Sequence, residues 1–468
     1  MGPVLYSVAG VRGVVGESLT PELVTRFATA FGTFRNSGTI VVGRDTRVSG
    51  MMLKYLVFGG LMSAGCKVVD LDIVPTATVA LTVKKLEAHG GVVISGSHNP
   101  AEWNALKFFN EQGMYLNEDQ WHQLQDLFYQ GGFRTVNWQN LQDVTSYGKA
   151  CDVHLRLVLS VVHPRKVRKA HLRVVLDSCN GAGSLITPIL LEKFGCTVVR
   201  VNCDPTGLFP HNPEPIFTNL GDLCRTVVEA KADVGFAQDA DADRLAIVNG
   251  RGEYLGEEYT LALAARHVLR RRKGLIVTNL STSRLVEDVA REFGGRVVRT
   301  RVHEIHVAER MRTEDAILGG EGNGGVIDPR VHLTRDSLVA IALVLEELAE
   351  TGKTVAELAE ELPRYVIQKR KLPTTYMATM NTLTDIKNRY QRQAEAGALR
   401  IDYTDGIRLE WEDSWVHIRK SGTEPAIRII AEATTAERAD ALCDEFLGIA
   451  RRHSERELGA EALQAVDS

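Results

Sequence analysis

The sequence predicts a mixed α/β protein of four domains: three related α/β domains and a smaller C-terminal α+β domain. A chain of 468 residues is too long for one hydrophobic core, which favours three or four domains. Short runs of β-branched residues alternate with longer amphipathic segments as far as residue 367, which is typical of βαβ units. This rhythm restarts near residues 172 and 274, and after 367 it gives way to alternating strands and one long helix.

The first α/β domain is expected to occupy residues 1–150. TIVVGRD (39–45), CKVVDLDIV (66–74) and GGVVIS (90–95) are predicted strands because β-branched residues dominate them. The segment 52–65 between the first two is a predicted helix that ends at a glycine. These elements together favour a mixed or parallel sheet that is covered by helices.

The three remaining domains are expected at 151–252, 253–367 and 368–468. The second and third repeat the pattern of strand, helix and strand that begins the chain. In the last, IRLEWEDSWVHIRKS (407–421) has the alternation of antiparallel strands, and a long helix is predicted at about 435–453. This difference in pattern is the reason for assigning the last domain to the α+β class.

Charge and composition exclude several classes of partner. Lys and Arg number 55 against 59 Asp and Glu, a net charge of −4, so neither nucleic acid nor a membrane surface is the expected partner. No apolar stretch approaches 18 residues, and the N-terminus lacks the pattern of a signal peptide. The seven cysteines form no CxxC pair, which is typical of free thiols in a reducing compartment. We therefore expect a cytoplasmic protein.

The segment AQDADADRLAIV (237–248) carries the strongest chemical signal. Asp239, Asp241 and Asp243 alternate after an apolar strand, so their carboxylates can share one side of the chain. Three neighbouring carboxylates repel one another unless a cation lies between them, and oxygen ligands select Mg²⁺ or Ca²⁺. An EF-hand is excluded because its sixth position would be Arg244 instead of glycine. The alternative interpretation is a solvated acidic turn.

A second segment, RKSGTEPAIRI (419–429), has the composition of a phosphate-binding loop. Its Ser-Gly-Thr cluster offers backbone N–H groups and two hydroxyls, and Arg419 and Arg428 flank it. The same cluster is also common in turns, so both interpretations stay open at this point.

A third segment, GGEGNGGVI (319–327), is rich in glycine. Its glycines allow the backbone to approach a ligand closely, and Glu321 and Asn323 supply groups that suit sugar hydroxyls. A flexible glycine turn is the alternative. Near the N-terminus, SVAGVRG (7–13) similarly presents Arg12 between glycines.

The heptapeptide ISGSHNP (94–100) contains two serines, Ser95 and Ser97. It does not match the G-x-S-x-G motif of hydrolases, and His98 is too close along the chain to act easily as the base for Ser97. In isolation the segment is as consistent with a turn as with a catalytic site. A metal site and a phosphate site in the same chain favour phosphoryl transfer through a phosphoserine.

ISGSHNP, DADADR, GEGNGG and RKSGTEP, in this order, resemble the four signature loops of the α-D-phosphohexomutase superfamily. SVAGVRG, VGRDTRVSG (42–50), DSCNGAG (177–183) and NPEP (212–215) extend the resemblance over nearly the whole chain. It implies four domains around a central cleft, each of which contributes one loop. It also implies a phosphoryl-transferring enzyme whose partners are small-molecule sugar phosphates.

The resemblance implies that Ser97 is phosphorylated in the resting enzyme. Asp239, Asp241 and Asp243 would hold one Mg²⁺ with a phosphoserine oxygen as the fourth ligand, and a hexose 1,6-bisphosphate would be the intermediate and activator. The positions implied for acid–base chemistry near the serine are Lys107, Arg12 and His98. Those implied for the substrate are Arg244, His303, Glu321, Asn323, Arg419, Ser421, Gly422, Thr423 and Arg428.

Two positions depart from the pattern of the superfamily. Many relatives end the sugar loop with S-G-H, whose histidine is a candidate acid or base, but here Asn323-Gly324-Gly325 stands in its place. His303 stands where relatives often have glycine, so a surface histidine is the alternative to a substrate contact.

The preferred sugar is less well defined by the sequence. GEGNGG together with WNALK (103–107) resembles the phosphoglucosamine mutases, whereas GSHNP resembles the phosphomannomutase/phosphoglucomutase branch. Conversion of glucosamine 6-phosphate to glucosamine 1-phosphate, a step towards UDP-N-acetylglucosamine, is the expected activity. Use of glucose and mannose phosphates is the first alternative, and a catalytically silent sugar-phosphate-binding protein is the second. A monomer or a homodimer is expected.

Overall fold

The computed structural model describes residues 4–422 and 425–458. The chain divides into two compact units. The first unit comprises Met1–Val277, Val286–Val298 and His303–Leu362. The second comprises Thr278–Leu285, Arg299–Val302 and Pro363–Ser468.

The described residues form strands and helices in alternation, as the sequence predicts. The strands are β1 (Leu5–Ser7), β2 (Gly10–Val14), β3 (Thr39–Arg44), β4 (Lys67–Ile73), β5 (Gly90–Ile94), β6 (Trp103–Phe109), β7 (Val144–Ser146), β8 (Arg173–Asp177), β9 (Thr197–Val201), β10 (Val234–Gln238), β11 (Leu245–Asn249), β12 (Leu275–Asn279), β13 (Arg296–Thr300), β14 (Leu318–Glu321), β15 (Gly325–Ile327), β16 (Val366–Pro373), β17 (Arg400–Asp402), β18 (Ile407–Glu410), β19 (Ser414–Lys420) and β20 (Ala426–Ala433). The helices are α1 (Pro21–Phe34), α2 (Gly50–Ser63), α3 (Thr76–Lys85), α4 (Glu118–Gln130), α5 (Ala150–Ser160), α6 (Pro164–Ala170), α7 (Gly183–Lys193), α8 (Gly221–Glu229), α9 (Glu258–Arg271), α10 (Leu285–Glu292), α11 (Glu304–Thr313), α12 (Ser337–Thr351), α13 (Val355–Glu360), α14 (Tyr376–Glu395) and α15 (Ala436–Leu458).

The N-terminal sheet is mixed and has the strand order β1-β2-β6-β5-β3-β4-β7. Strands β3, β4, β5 and β7 run parallel, whereas β2 and β6 pair antiparallel to their neighbours. Because side chains alternate across a strand, Ile40 and Val42 pack into the core under α1 and α2, and Val41 packs into the core under α3. Helices therefore cover both faces, which confirms the predicted layered arrangement.

Two further sheets repeat a shorter version of this design. The second has the order β11-β10-β8-β9, with β8, β9 and β10 parallel and β11 antiparallel to β10. The third has the order β13-β12-β14-β15, with β12 and β14 parallel and β15 antiparallel to β14. In each sheet a buried parallel strand thus leads through a short connection into an antiparallel partner.

The second unit contains a five-stranded antiparallel sheet of order β16-β20-β19-β18-β17. Residues of α14 and α15, such as Ile386 and Phe446, share one hydrophobic core with residues of the sheet. The last helix continues to Leu458, five residues beyond its predicted end at 453. The extension is explained by Ser454, which is buried and whose hydroxyl lies 2.6 Å from that of Thr374.

The seven cysteines are all free, as expected for thiols without pairing motifs. Within residues 4–422 and 425–458, no helix combines the length and the apolar character that crossing a bilayer requires.

Candidate active site

All four signature motifs lie where one strand turns back into an antiparallel partner. Residues 95–102 connect β5 to β6, 239–244 connect β10 to β11, and 322–324 connect β14 to β15. In the second unit, 421–425 connect β19 to β20. Such connections expose backbone N–H groups and side chains at the end of a rigid sheet, which is where binding residues are commonly placed.

Ser97 lies at the end of β5 in an unusual backbone conformation. Its φ is +51°, in the left-handed region, and only 3% of its surface is exposed. Its backbone N–H donates to the hydroxyl of Ser95 (2.9 Å), which in turn donates to a carboxylate oxygen of Asp45 (2.6 Å). Ser95 therefore helps to fix the position of Ser97.

The buried guanidinium of Arg47 binds residues 95–103, here called the serine loop, at several points. Its Nε lies 3.1 Å from the carboxylate of Asp45, and Arg47 itself is 1% exposed. Its two terminal nitrogens donate to the backbone carbonyls of Ser97, Asn99, Pro100 and Trp103, at 2.6–3.0 Å. Sequence reasoning assigned no role to Arg47, although it lies in the VGRDTRVSG segment that contributed to the resemblance.

The three aspartates of the acidic motif converge as predicted. Asp239, Asp241 and Asp243 are fully buried, and each offers one carboxylate oxygen within 4.8 Å of those of the other two. Ala242, with φ +55°, makes the turn between the last two. Full burial excludes the solvated acidic turn that was the alternative interpretation.

The protein holds both oxygens of the Asp239 carboxylate and one oxygen each of Asp241 and Asp243. Oδ2 of Asp241 accepts from Lys107 and from Thr76, and Oδ2 of Asp243 accepts from Arg335 at 2.7 Å. Within the part of the chain that the structure describes, Oδ1 of Asp241 and Oδ1 of Asp243 have no hydrogen-bond partner.

Buried carboxylate oxygens without a partner are rare, because desolvation is costly. A hard divalent cation is the ligand that such oxygens fit. The donor set of this site therefore fits Mg²⁺.

The electrostatics of the aspartates point the same way. Burial raises the pKa of Asp239 well above its ordinary value, and the adjacent carboxylates of Asp243 and Asp241 raise it further. Burial would also raise the pKa of Asp241, but the ammonium of Lys107 outweighs it and holds that pKa below its ordinary value. A cation at this position would offset the repulsion among the three carboxylates.

Ser97 and Asp239 are in direct contact. The hydroxyl of Ser97 donates to Oδ2 of Asp239 at 2.8 Å, although the two residues are 142 positions apart. Nδ1 of His98 is farther away, at 3.4 Å from the same hydroxyl. Burial and the nearby cations, Arg244 and Arg12 above all, lower the pKa of His98 well below its ordinary value, so its imidazole is neutral. The nearest proton acceptor to Ser97 is thus Asp239.

Two predicted basic residues lie close to this cluster. Lys107, on β6, is 2% exposed, and its Nζ lies 2.5 Å from Oδ2 of Asp241, so it acts here as a hydrogen-bond donor. Arg12, on β2, donates from Nη1 to the side-chain oxygen of Asn99 at 2.6 Å. Arg12 therefore contacts the serine loop directly.

Arg244 is the last residue of the acidic loop (239–244) and also approaches the NPEP segment. Its backbone N–H donates to Oδ1 of Asp239 at 3.1 Å. Its Nη1 lies 3.9 Å from the carboxylate of Glu214. The arginine thus directly follows Asp243 and is partly buried.

The glycine-rich loop lies against the acidic loop. The backbone N–H of Leu245 donates to the carbonyl of Gly324 at 3.0 Å. Glu321 is buried, and Nδ2 of the half-buried Asn323 lies 3.3 Å from its carboxylate. Arg335, which sequence reasoning did not find, donates to Glu321 at 2.8 Å.

His303 precedes α11 with an uncommon backbone conformation. Its φ of +114° lies in a region that glycine adopts far more readily than other residues. Its ring is half-buried, with its centroid 6.4 Å from that of His306. The structure therefore brings His303 to the start of α11, next to the buried Glu304.

The predicted phosphate-binding residues lie on one hairpin of the second unit. Arg419 on β19 and Arg428 on β20 are directly opposite in the sheet, and the backbone N–H of Ser421 donates to the carbonyl of Ala426. Like charges directly opposite each other destabilise a sheet, so an anion beside them would be favourable. Gly422 is exposed at the end of β19, and Thr423 lies outside the described residues.

A second cluster with metal-ligating side chains comprises His154, His332 and Asp336, all buried. Nδ1 of His332 accepts from the backbone N–H of Thr334 (3.1 Å), which leaves the ring proton on Nε2, where it is donated to Asp336 (2.9 Å). A protonated nitrogen cannot ligate a metal. This cluster is therefore a buried hydrogen-bond network.

Comparison with known proteins identifies the family. Residues 5–135, 152–252 and 257–365 match the phosphoglucomutase/phosphomannomutase alpha/beta/alpha domains I, II and III. Residues 367–449 match the C-terminal domain of the same family. The chain belongs to the phosphoglucomutase/phosphomannomutase family. It is therefore a phosphohexomutase, an enzyme of the isomerase class, with three α/β/α domains and a distinct C-terminal domain.

Relatives of this phosphohexomutase carry two kinds of name. A probable phosphoglucosamine mutase of Methanopyrus kandleri is 38% identical over 449 residues, which cover 96% of this chain and 98% of the relative. A phosphoglucomutase/phosphomannomutase of Thermococcus kodakarensis is also 38% identical, over 93% of this chain and 96% of the relative. Similarity at this level supports a phosphohexomutase but does not separate the two activities.

Solved structures agree with the fold of this phosphohexomutase. A phosphoglucomutase/phosphomannomutase family protein from Burkholderia thailandensis superposes with a TM-score of 0.81 at 26% identity, covering 95% of this chain and 96% of the other. An N-acetylphosphoglucosamine mutase of Aspergillus fumigatus has a TM-score of 0.55 at 16% identity, covering 96% of each chain.

Proposed function

We propose that this phosphohexomutase interconverts hexose 6-phosphates and 1-phosphates through a phosphoserine at Ser97 and a bisphosphorylated sugar. Its preferred reaction is the conversion of glucosamine 6-phosphate to glucosamine 1-phosphate. The observation that carries the proposal is the contact of the Ser97 hydroxyl with Asp239, beside two buried carboxylate oxygens that have no partner within residues 4–422 and 425–458. A serine held in this way can carry a phosphoryl group next to a metal site.

Asp239, Asp241 and Asp243 would hold Mg²⁺ together with a phosphate oxygen on Ser97. When bound, the ion neutralises negative charge on the phosphoryl group.

Both half-reactions use the same atoms of Ser97. In the first, the bond between phosphorus and Oγ of Ser97 breaks, a bond to the free sugar hydroxyl forms, and a proton passes from that hydroxyl to Oγ. In the second, Oγ attacks the other phosphate of the bisphosphorylated sugar, and the sugar oxygen that is released takes up a proton. Asp239, whose Oδ2 lies 2.8 Å from Oγ, orients the serine hydroxyl in the second step, and the serine proton passes to the sugar oxygen that is released.

Two further residues beside the serine assist the transfer in this proposal. Lys107, as a donor to Asp241, is suited to act as a general acid, and the neutral ring of His98 is a hydrogen-bond partner for the serine hydroxyl. Arg12 would contact the substrate phosphate, because its guanidinium lies beside the serine loop.

The distal phosphate and the sugar ring are bound by other loops in this proposal. Glu321 and Asn323 would bind sugar hydroxyls, with Arg244 and His303 as further contacts. The phosphate that is not reacting would be bound by Arg419, Ser421, Gly422, Thr423 and Arg428. The support for this last group is the direct opposition of the two arginines across β19 and β20.

The preference for glucosamine phosphate rests on the names of the relatives and on the GEGNGG and WNALK motifs. Use of glucose and mannose phosphates is the second candidate, because an equally similar relative is named for it. The two candidates differ in whether the site accepts an ammonium or a hydroxyl at sugar C2. Measurement of kcat/KM for the three sugar phosphates decides between them, and the lowest value for glucosamine 6-phosphate would contradict our choice.

Two variants test the chemistry. Ser97→Ala removes the phosphoryl carrier and Asp241→Ala removes a metal ligand, so each is expected to abolish turnover while the protein stays folded. Ser160→Ala and Asp152→Ala on α5, away from the site, are the matched controls and should keep full activity. Wild-type turnover in either site variant would refute the mechanism.

A further inference from the structure

Arg335 lies between three carboxylates that come from different parts of the chain. Its Nη2 donates to Oδ2 of Asp243 at 2.7 Å and its Nη1 donates to Glu321 at 2.8 Å. Its Nε lies 2.8 Å from Oε2 of Glu304. One guanidinium thus joins the acidic loop, the glycine-rich loop and the first residue of α11.

The backbone of Arg335 is also fixed by hydrogen bonds. Its backbone N–H donates to Oε1 of Glu304 at 2.9 Å, so Glu304 holds both the main chain and the side chain of the arginine. The next residue, Asp336, donates its N–H to the carbonyl of Val326 and caps α12 through its side chain. Because its backbone is anchored at the start of a helix, the planar guanidinium has little freedom, and it presents its two outer nitrogens in a set geometry.

The glycine-rich loop makes room for this side chain. A Cβ added at Gly325 would lie 2.1 Å from Cδ of Arg335, which is far closer than carbon atoms can approach. Gly325 is the last residue of the GEGNGG motif. In this chain the stem of Arg335 therefore fills the space that a side chain at residue 325 would need.

The contacts of Arg335 decide which oxygen of Asp243 is left for a metal. Because the arginine holds Oδ2, the oxygen of Asp243 that is left for a metal is Oδ1, which has no partner among the described residues. Residues that orient a metal ligand in this way commonly control metal affinity although they do not touch the ion. The same guanidinium fixes the carboxylate of Glu321.

We propose that Arg335 is a positioning residue of the phosphohexomutase reaction, which sets Asp243 for the metal and Glu321 for the sugar in one fixed arrangement. The inference rests on the proposed roles of these two carboxylates. It predicts that the geometry of the guanidinium matters and not only its charge. The alternative is that Arg335 acts only through its positive charge. In that case it would compete with a metal ion for Asp243, and removal of the charge should strengthen metal binding.

Arg335→Lys separates these two effects, because lysine keeps the charge but has a single point donor in place of a planar fork. Arg335→Gln removes charge and fork together. Arg330→Gln is the matched control, since Arg330 is nearby, its side chain is 40% exposed, and it pairs with Asp328 instead of with the site. The measurements are the affinity of each folded protein for Mg²⁺, by titration calorimetry, and kcat and KM for glucosamine 6-phosphate.

A positioning role predicts that Arg335→Lys and Arg335→Gln both bind Mg²⁺ about tenfold or more weakly than the wild type. KM should rise in both variants because Glu321 loses its orientation, and Arg330→Gln should match the wild type. Affinity for Mg²⁺ at the wild-type level in folded Arg335→Lys would overturn the inference. Tighter binding in Arg335→Gln would also overturn it, because the arginine would then be a competing charge.

Gly325→Ala serves where an Arg335 variant fails to fold. The added methyl group would displace the arginine stem without removing its charge, so weaker Mg²⁺ binding is expected here too, and unchanged binding would overturn the inference. The proposed function is tested separately within the same experiment. The metal site itself predicts that the wild type binds Mg²⁺ and that Asp241→Asn abolishes this binding. If either result failed, the metal site would be refuted, and not only the role of Arg335 in it.

Discussion

Replacement of Arg47 by lysine tests how the serine loop is held. The guanidinium of Arg47 donates to four backbone carbonyls of the loop while its Nε pairs with Asp45. A lysine ammonium can keep the pair with Asp45, but one point donor cannot reach carbonyls that lie on two sides of a planar group. The substitution therefore removes most of the bonds to the loop and preserves the charge.

The expected magnitude follows from those contacts. Hydrogen bonds to a charged group contribute about 1.5–3 kcal/mol each, so loss of two or three of the four carbonyl bonds costs about 3–9 kcal/mol before any compensation. Since water can enter and satisfy part of the loop, we expect Arg47→Lys to lower the free energy of unfolding by about 3–5 kcal/mol. The left-handed backbone of Ser97 costs about 1–2 kcal/mol, so the released loop should relax and move its hydroxyl. A displacement of about 1 Å can lower kcat about 100-fold.

Urea denaturation and steady-state kinetics, under conditions where the variant is folded, measure both effects. Arg44→Lys is the matched control, because Arg44 lies on β3 close to Arg47, pairs with Asp72, whose side chain is 57% exposed, and donates to a single backbone carbonyl, that of Asp45. A lysine ammonium can keep one of these contacts and water can replace Asp72, so the control should lose about 1 kcal/mol or less and keep its kcat. If Arg47→Lys were as stable and as active as Arg44→Lys, the account of the serine loop would be refuted.

Three further outcomes are expected. Both ring nitrogens of His267 lie 2.9 Å from carboxylates, and although burial lowers its pKa, the hydrogen bonds with Glu346 and Glu347 raise it above 6.5 on balance. The stabilisation from the protonated ring is therefore complete below pH 6.5 and is lost as the pH rises through the raised pKa. The melting temperature of the wild type should fall over that pH range, and this fall should be absent in His267→Gln. The same fall in His267→Gln would contradict the assignment. His303→Gly relieves a strained positive φ. Urea denaturation should therefore give a free energy of unfolding equal to that of the wild type or about 1 kcal/mol higher. A clearly lower value would show that packing of the His303 ring stabilises the protein. Arg428→Gln should raise KM for the sugar phosphate about tenfold or more without loss of stability, and an unchanged KM would exclude it from the phosphate site.

The sequence predicted the sheets well because their signal is local. β3 and β5 begin at their expected residues, 39 and 90, and each ends one residue before its expected end. The end of α15 was wrong by five residues because its polar surface gave no sign that Ser454 packs against Thr374. Burial of a small polar residue depends on tertiary packing, which periodicity does not report.

The site was predictable where its chemistry lies in one short segment. Asp239, Asp241 and Asp243 alternate in the sequence and converge in the structure. Arg335 was missed because it contacts Asp243 over 92 positions and Glu304 over 31, and no motif surrounds it. The glycine at 325 was interpreted as an approach to the sugar, but its close neighbour in the structure is the stem of Arg335.

The residue that carries the phosphoryl group can be identified directly. The wild type, Ser97→Ala and Ser95→Ala are incubated with glucose 1,6-bisphosphate, the mass of each intact protein is measured, and the phosphopeptide is mapped. We expect the wild type and Ser95→Ala to gain one phosphate, located on Ser97, and Ser97→Ala to gain none. A phosphate on Ser97→Ala, or one that maps to Ser95 in the wild type, would contradict the proposed mechanism.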